Sequence, residues 1–287
     1  MGEQKTRKRA IERETLITHD GTTITVAHFH VSGQEKGIIL IPPLIGGSFI
    51  LFGRQFSYLV KQGYRIVSFN YRGHDLSQGR FTLASMFSDT LDIALRLKNS
   101  QPDTPLFAVG TCSGSMPLFH IVNRIPHLIQ GLVFVNAIYD LQQTATPWES
   151  MKIYVRSRGL SIPHSAGEIA SVVLDEVFPE IDKGPDHFGI LTYDRVNLTR
   201  ISFEYVLKLG PRMNFTCPIP TLCMYGKGDE MLGMDDPNTE IKYREEFEKR
   251  FPNIMFSTFE ADHFMTGLKT QVAQTMHLFV APLSASA

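Results

Sequence analysis

The chain has 287 residues, of which 43% are hydrophobic and 20% charged, and its formal net charge at pH 7 is −1. That length fits one large domain with an insertion, and the balanced charge excludes nucleic-acid binding by bulk electrostatics. No apolar stretch has the length of a membrane span, and the first residues lack the pattern of a secretory signal. Three cysteines, an odd count, argue against a disulfide framework. We therefore expect a cytoplasmic protein.

Alternating strands and helices are predicted along the chain. Apolar and polar residues alternate over 11–18 and 24–28, which predicts an antiparallel pair joined by a turn at Asp20-Gly21. A continuous apolar run, typical of a buried parallel strand, occupies 37–41. Further strands are predicted at 64–69, 106–109, 131–135, 221–225 and 254–259. Helical spacing marks 52–60, 82–97, 242–249 and 271–279. The order predicts the α/β class, with a mostly parallel sheet and helices on both faces.

One segment interrupts this alternation. From 141 to 213 no strong buried strand is evident, and amphipathic pieces are separated by proline and glycine. We interpret 141–213 as a helical cap inserted into a core formed by 1–140 and 214–287. Ordinary crossover helices are the alternative, although the segment is long for a single connection.

The stretch with the clearest chemical meaning is Gly110-Thr111-Cys112-Ser113-Gly114, between an apolar strand and an apolar helix. A strand–turn–helix with this glycine spacing is typical of a nucleophile held in a tight turn, where flanking side chains would collide with strand and helix. Cys112 is therefore the candidate nucleophile, at a helix N-terminus that favours a thiolate. Ser113 is a rival, but a frame shifted by one residue loses the glycine spacing.

An acid and a histidine follow the later strands. Asp229 comes after the strand at 221–225, within Gly226-Lys227-Gly228-Asp229-Glu230, and is the candidate for orienting a histidine. Glu230 and Asp140 are alternatives for that role. Of the ten histidines, His263 lies just past the last predicted strand, and we expect it to exchange protons with the Cys112 thiol and the leaving group.

An oxyanion hole needs two backbone N–H groups near the nucleophile. Ser113, directly after Cys112, is expected to supply one. The loop after the strand at 37–41 is expected to supply the other, and Leu44 is the candidate because Pro42 and Pro43 have no N–H.

Together these residues resemble the α/β-hydrolase superfamily, in which nucleophile, acid and histidine follow one another in this order. The resemblance covers nearly the whole chain. The stretch Tyr71-Arg72-Gly73-His74-Asp75-Leu76-Ser77 is similar to the R-G-x-G-x-S loop of that superfamily, with Asp75 where glycine is usual. A cysteine nucleophile resembles polyhydroxyalkanoate synthases and dienelactone hydrolases. The cap position resembles the serine acyl-transferases that serve bacterial luciferase.

The resemblance implies acyl transfer through a covalent intermediate on Cys112, without a cofactor or metal ion. A cysteine nucleophile matches an acyl thioester, so the expected partner is an acyl group carried by coenzyme A or an acyl carrier protein. The resulting enzyme would be a thioesterase, an acyltransferase or a cyclase. Two alternatives stay open: an ester or lactone hydrolase with the same Cys112-His263-Asp229 triad, and a non-catalytic binding protein of the same fold.

Overall fold

A computed structural model describes residues 11–44, 49, 56–138 and 215–285 of the chain. These residues contain eight β-strands and five α-helices. The strands are β1 (Ile11–Ile17), β2 (Thr23–Phe29), β3 (Gly37–Ile41), β4 (Tyr64–Phe69), β5 (Leu106–Thr111), β6 (Gly131–Val135), β7 (Thr221–Gly226) and β8 (Ile254–Phe259). The helices are α1 (Ser57–Lys61), α2 (Leu83–Ser100), α3 (Met116–Arg124), α4 (Pro237–Arg250) and α5 (Lys269–Ala285).

All eight strands form one sheet in the order β1-β2-β4-β3-β5-β6-β7-β8. Strands β1, β2 and β4 pair antiparallel, and every pair from β4 to β8 is parallel. The turn between β1 and β2 contains Gly21 at φ +84°, a backbone conformation that glycine adopts without strain. The predicted fold, a mostly parallel α/β sheet with an opening antiparallel pair, is confirmed.

The helices follow the predicted spacing, with differences at their ends. Helix α4 begins at Pro237, one turn or more before the predicted residue 242, because Asp236 caps it by accepting a hydrogen bond from the Asn238 N–H. Helix α5 continues to Ala285, beyond the predicted end at 279. Within the described ranges, no helix is long and apolar enough to cross a membrane.

Apolar side chains cover both faces of the sheet, because strand residues alternate between them. Leu106 and Ala108 of β5 point into one core cluster, and Phe107 and Val109 point into the other. On the first face, Phe134 of β6 lies against Phe119 of α3, with ring centroids 4.7 Å apart. Both faces of the central strands are thus covered, and the parallel strands place their carboxyl ends at one edge of the sheet.

Strands β6 and β7 are neighbours in the sheet, with Val135 opposite Met224. The chain between them contains the predicted cap, 141–213, which lies outside the described residues, as does Asp140. The segments on either side of the cap thus belong to one core. The cap itself stays a prediction.

Candidate active site

Cys112 lies in a strained turn at the end of the central strand β5. Its φ is +49°, in the left-handed region that side chains rarely adopt. A short 3-10 turn, Cys112–Ser115, leads from the strand into α3. The Ser115 hydroxyl donates a hydrogen bond of 2.5 Å to the Cys112 carbonyl and so braces the turn. Cys112 as a whole is partly exposed.

Glycines on both sides of Cys112 allow close backbone packing. A Cβ on Gly110 would lie 2.5 Å from Ser115 Cα, and a Cβ on Gly114 would lie 2.5 Å from the Pro42 carbonyl oxygen. Real Cβ atoms do not approach that closely, so both positions require glycine. This is the steric reason inferred from the sequence for the two glycines.

Asp229 is held in a tight loop after β7. Its side chain is fully buried, and Oδ1 accepts a hydrogen bond of 3.0 Å from the Leu232 N–H. The other oxygen, Oδ2, lies 2.8 Å from His263 Nδ1. A buried carboxylate with both oxygens engaged has a fixed position. Asp229 therefore holds the His263 ring by Nδ1.

His263 lies in the loop after β8 and is 3% exposed. Burial by itself lowers its pKa, but the negative charges of Asp229 and, next, Cys112 outweigh burial, so the pKa of His263 lies well above its ordinary value. The surroundings of the imidazole therefore favour its protonated form. Nε2 is buried without a hydrogen bond of ordinary geometry in the described part of the chain, yet Cys112 is near enough to stabilise its charge.

The loop after β3 packs against the turn that holds Cys112. The Pro42 carbonyl oxygen lies against Gly114, and Leu44 is partly buried on the core cluster below. Leu44 lies on the same loop, two residues after Pro42. Its N–H, with that of Ser113, stays the predicted oxyanion hole.

The structure separates the candidates for the acid. Asp229 is the carboxylate that contacts His263, whereas Oε2 of the adjacent Glu230 is buried without a hydrogen-bond partner among the described residues. The remaining candidate, Asp140, lies outside the described residues. The geometry thus brings Cys112, His263 and Asp229 together at the carboxyl edge of the sheet, in the arrangement of a nucleophile, a base and an orienting acid.

One residue of the site was missed by sequence reasoning. Asn136, directly after β6, is fully buried, and its amide group donates a hydrogen bond of 2.6 Å to the His263 carbonyl. A polar residue at the carboxyl end of a buried parallel strand was the available signal.

Comparisons with known proteins agree with this fold. A family model described as "Serine aminopeptidase, S33" (Hydrolase_4) matches residues 33–201, a range that includes Cys112 and ends before Asp229 and His263. No curated protein matches the chain significantly.

Solved structures of similar fold include several esterases. A thermostable carboxyl esterase from Bacillus coagulans has a TM-score of 0.65 at 12% identity and covers 96% of this chain and 99% of its own. An esterase from Exiguobacterium antarcticum has a TM-score of 0.63 at 16% identity and covers 93% and 98%. A serine hydrolase without a lid from Xanthomonas campestris has a TM-score of 0.59 at 14% identity and covers 95% and 94%. At these identities the likeness shows the fold.

Proposed function

Because this chain belongs to the Hydrolase_4 family, described as serine aminopeptidase S33, within the α/β hydrolases, we propose that it hydrolyses carboxylic esters through an acyl-enzyme on Cys112. One observation carries the proposal. Cys112, at φ +49° in its turn, faces a buried His263 whose Nδ1 is held 2.8 Å from Asp229. The esterases among the solved structures of this fold support an ester as substrate.

The chemistry follows from the three side chains. The Cys112 sulfur attacks the ester carbonyl carbon, and the oxyanion that forms accepts hydrogen bonds from the N–H groups proposed at Leu44 and Ser113. The C–O bond then breaks, and His263 gives its Nε2 proton to the departing alkoxide. Water next loses a proton to His263 and attacks the thioester carbon. The C–S bond then breaks, which releases the carboxylic acid and restores the Cys112 thiolate beside the protonated His263 that began the cycle. Asp229 keeps the ring oriented throughout.

A second candidate, acyl-thioester hydrolysis or transfer, is favoured by the cysteine itself. Exchange of a thioester substrate for the thioester on Cys112 loses little free energy, whereas a thiolate attacking an alkyl ester must expel a more basic alkoxide. The acyl donor would then be a coenzyme A or acyl carrier protein thioester, and water, an amine or a carbon nucleophile would accept the acyl group. Under either candidate, we propose that residues 141–213 form a cap that selects the acyl chain.

Intact-mass spectrometry tests the two candidates. The protein is incubated with ethyl and p-nitrophenyl esters of acetate, butyrate and octanoate, and with the matching coenzyme A thioesters. We expect turnover of the esters and an acyl mass on Cys112, which disappears in Cys112→Ala. Faster loading from every thioester than from its ethyl ester would transfer the proposal to the second candidate.

Two further outcomes contradict both candidates. An acyl mass that persists on Cys112→Ala would assign another nucleophile. A wild-type protein that takes up no acyl group and whose Cys112 is inert to iodoacetamide would support a non-catalytic binding protein. Cys112→Ser is the informative companion variant, because a gain of esterase activity would favour ordinary ester hydrolysis.

A further inference from the structure

Asn136 adopts a backbone conformation that few residues tolerate. It follows the last residue of β6 at φ +45°, and asparagine is one of the side chains that occupy this left-handed region with least strain. Its N–H donates a hydrogen bond of 2.9 Å to the Met224 carbonyl of β7. The side chain is fully buried. This conformation turns the chain at the carboxyl edge of the sheet, where the catalytic loops meet.

The Asn136 side chain joins two of those loops. Its Oδ1 accepts a hydrogen bond of 2.9 Å from the Gly226 N–H at the end of β7, three residues before Asp229. Its Nδ2 donates to the His263 carbonyl at 2.6 Å and lies 3.4 Å from the Asp262 carbonyl. An N–H on one side and two carbonyls on the other fix the orientation of the amide.

The residues after Asn136 reach the third loop. The Ile138 N–H lies 3.4 Å from the Cys112 carbonyl, and the Ile138 carbonyl accepts a hydrogen bond of 3.2 Å from the Ser115 hydroxyl. Asn136 and Ile138, both just after β6, thus contact the loops of the nucleophile, the acid and the histidine. Asn136 contacts the loops of the acid and the histidine through its side chain, so a substitution can remove these contacts.

We propose that Asn136 is a positioning residue that fixes the His263 main chain relative to Asp229, and through it the imidazole relative to the Cys112 sulfur. The inference rests on the triad of the proposed function but not on the identity of the substrate. A displacement of about 1 Å in a catalytic group lowers turnover by about 10²-fold. The two short bonds of Asn136 prevent such a displacement, since Gly226 N–H and His263 O are held by one rigid amide.

Two variants of Asn136 and one matched control test the inference. Asn136→Gly removes the amide while tolerating φ +45°. Asn136→Asp keeps the shape and the acceptor but turns a carboxylate oxygen toward the His263 carbonyl. Ser77→Ala is the control, because the buried Ser77 hydroxyl also accepts from one backbone N–H (Thr25, 2.9 Å) and donates to one carbonyl (Asn70, 2.8 Å), and neither partner belongs to the triad.

The readout is the pH dependence of Cys112 alkylation by iodoacetamide, followed by mass spectrometry of the Cys112 peptide, with chemical denaturation of each variant as a measure of stability. An imidazolium held beside the sulfur promotes alkylation at low pH. We expect both Asn136 variants to react about 10-fold more slowly near pH 6 and with a higher pH midpoint. Ser77→Ala should lose stability but keep the wild-type profile. When a substrate that the wild-type enzyme turns over is used, kcat of the Asn136 variants should fall about 10²-fold and KM should stay unchanged.

A wild-type labelling profile in a folded Asn136 variant would overturn the inference, and so would an equal shift in Ser77→Ala. Failure of both Asn136 variants to fold, while Ser77→Ala folds, would assign Asn136 to stability and would also overturn it. Because alkylation needs no substrate, a protein that hydrolyses no ester or thioester would refute the proposed function while the labelling profiles still decided the role of Asn136.

Discussion

Cys112 keeps a backbone conformation that costs an L-amino acid roughly 1–3 kcal/mol, because the packing around it permits no other. Gly114 is, with Gly110, one of the two tightest points of that packing. In Gly114→Ala the new Cβ would lie 2.5 Å from the Pro42 carbonyl oxygen, so the turn that holds Cys112 and the loop after β3 must separate. We expect a loss of about 1–3 kcal/mol of unfolding free energy in urea, together with a large loss of turnover.

Gly33→Ala is the matched control for that substitution. A Cβ on Gly33 meets no atom within 4 Å, and a surface change of this kind usually alters stability by less than about 0.5 kcal/mol. Equal unfolding free energies for the two variants would show that the turn at Cys112 can adjust to a side chain at position 114.

The charge of Asp229 determines the protonation of His263. In Asp229→Asn the hydrogen bond to Nδ1 can persist but the negative charge is lost, so burial lowers the pKa of His263 with less opposition. We expect the imidazole resonances of His263 in NMR spectra to titrate at a lower pH than in the wild type. Less imidazolium then remains at neutral pH, and labelling of Cys112 at pH 7 should slow. An unchanged or higher pKa would show that Asp229 is not the dominant charge.

Asp75 illustrates how a departure from a family pattern can conserve the structure. The R-G-x-G-x-S loops that this segment resembles have glycine at the position of Asp75. In this chain Asp75 lies at φ +47°. Aspartate tolerates this region better than most side chains. Its Oδ2 also accepts a hydrogen bond of 2.8 Å from Asn70 Nδ2, which is a contact that glycine does not offer.

At the scale of elements, an aromatic cluster joins two helices to the sheet. Phe134 of β6 contacts the rings of Phe119 in α3 and Phe247 in α4, at centroid distances of 4.7 and 5.5 Å. Phe134→Ala would leave a cavity beneath both helices, and we expect a loss of about 3–5 kcal/mol in urea denaturation with the same m-value. Leu278→Ala, at a side chain that is 75% exposed, is the control and should be nearly neutral.

The inner parallel strands were predictable because burial on both faces leaves a continuous apolar run. Strand β3 (Gly37–Ile41) and strand β4 (Tyr64–Phe69) are fully buried and match the predicted limits. The predicted helix, 242–249, is shorter than α4 because the exposed first turn of α4 carries no apolar periodicity. The signal for its true start was the cap Asp236 followed by Pro237.

The candidate site was predictable where the chemistry has a local signature. Glycine spacing marks Cys112, and strand ends mark Asp229 and His263. The contacts of Asn136 join residues 90 and 127 positions away in the chain, and no local pattern records such pairings. These pairings depend on the register of β6 against β7.

At the scale of the whole molecule, two separate stretches of chain build one core. Strand β6 pairs with β7, and both core clusters contain residues from 11–138 and from 215–285. We expect that a protease site inserted between Gly184 and Pro185 can be cleaved without separating the fragments. Size-exclusion chromatography should show one species, and thermal unfolding should show one transition. Elution as two independent fragments would contradict a shared core.

The location of His263 after β8, the last strand of the sheet, has a consequence for biosynthesis. Cys112 leaves the ribosome long before the chain that carries its base, and β8, the last of the described strands, pairs with β7 at the edge of the sheet. The sheet can therefore be largely assembled while the nucleophile has no partner. We therefore expect reactivity toward substrate to appear in the last step of folding. A nascent or truncated chain should not react with substrate until its C-terminal part has packed against the sheet.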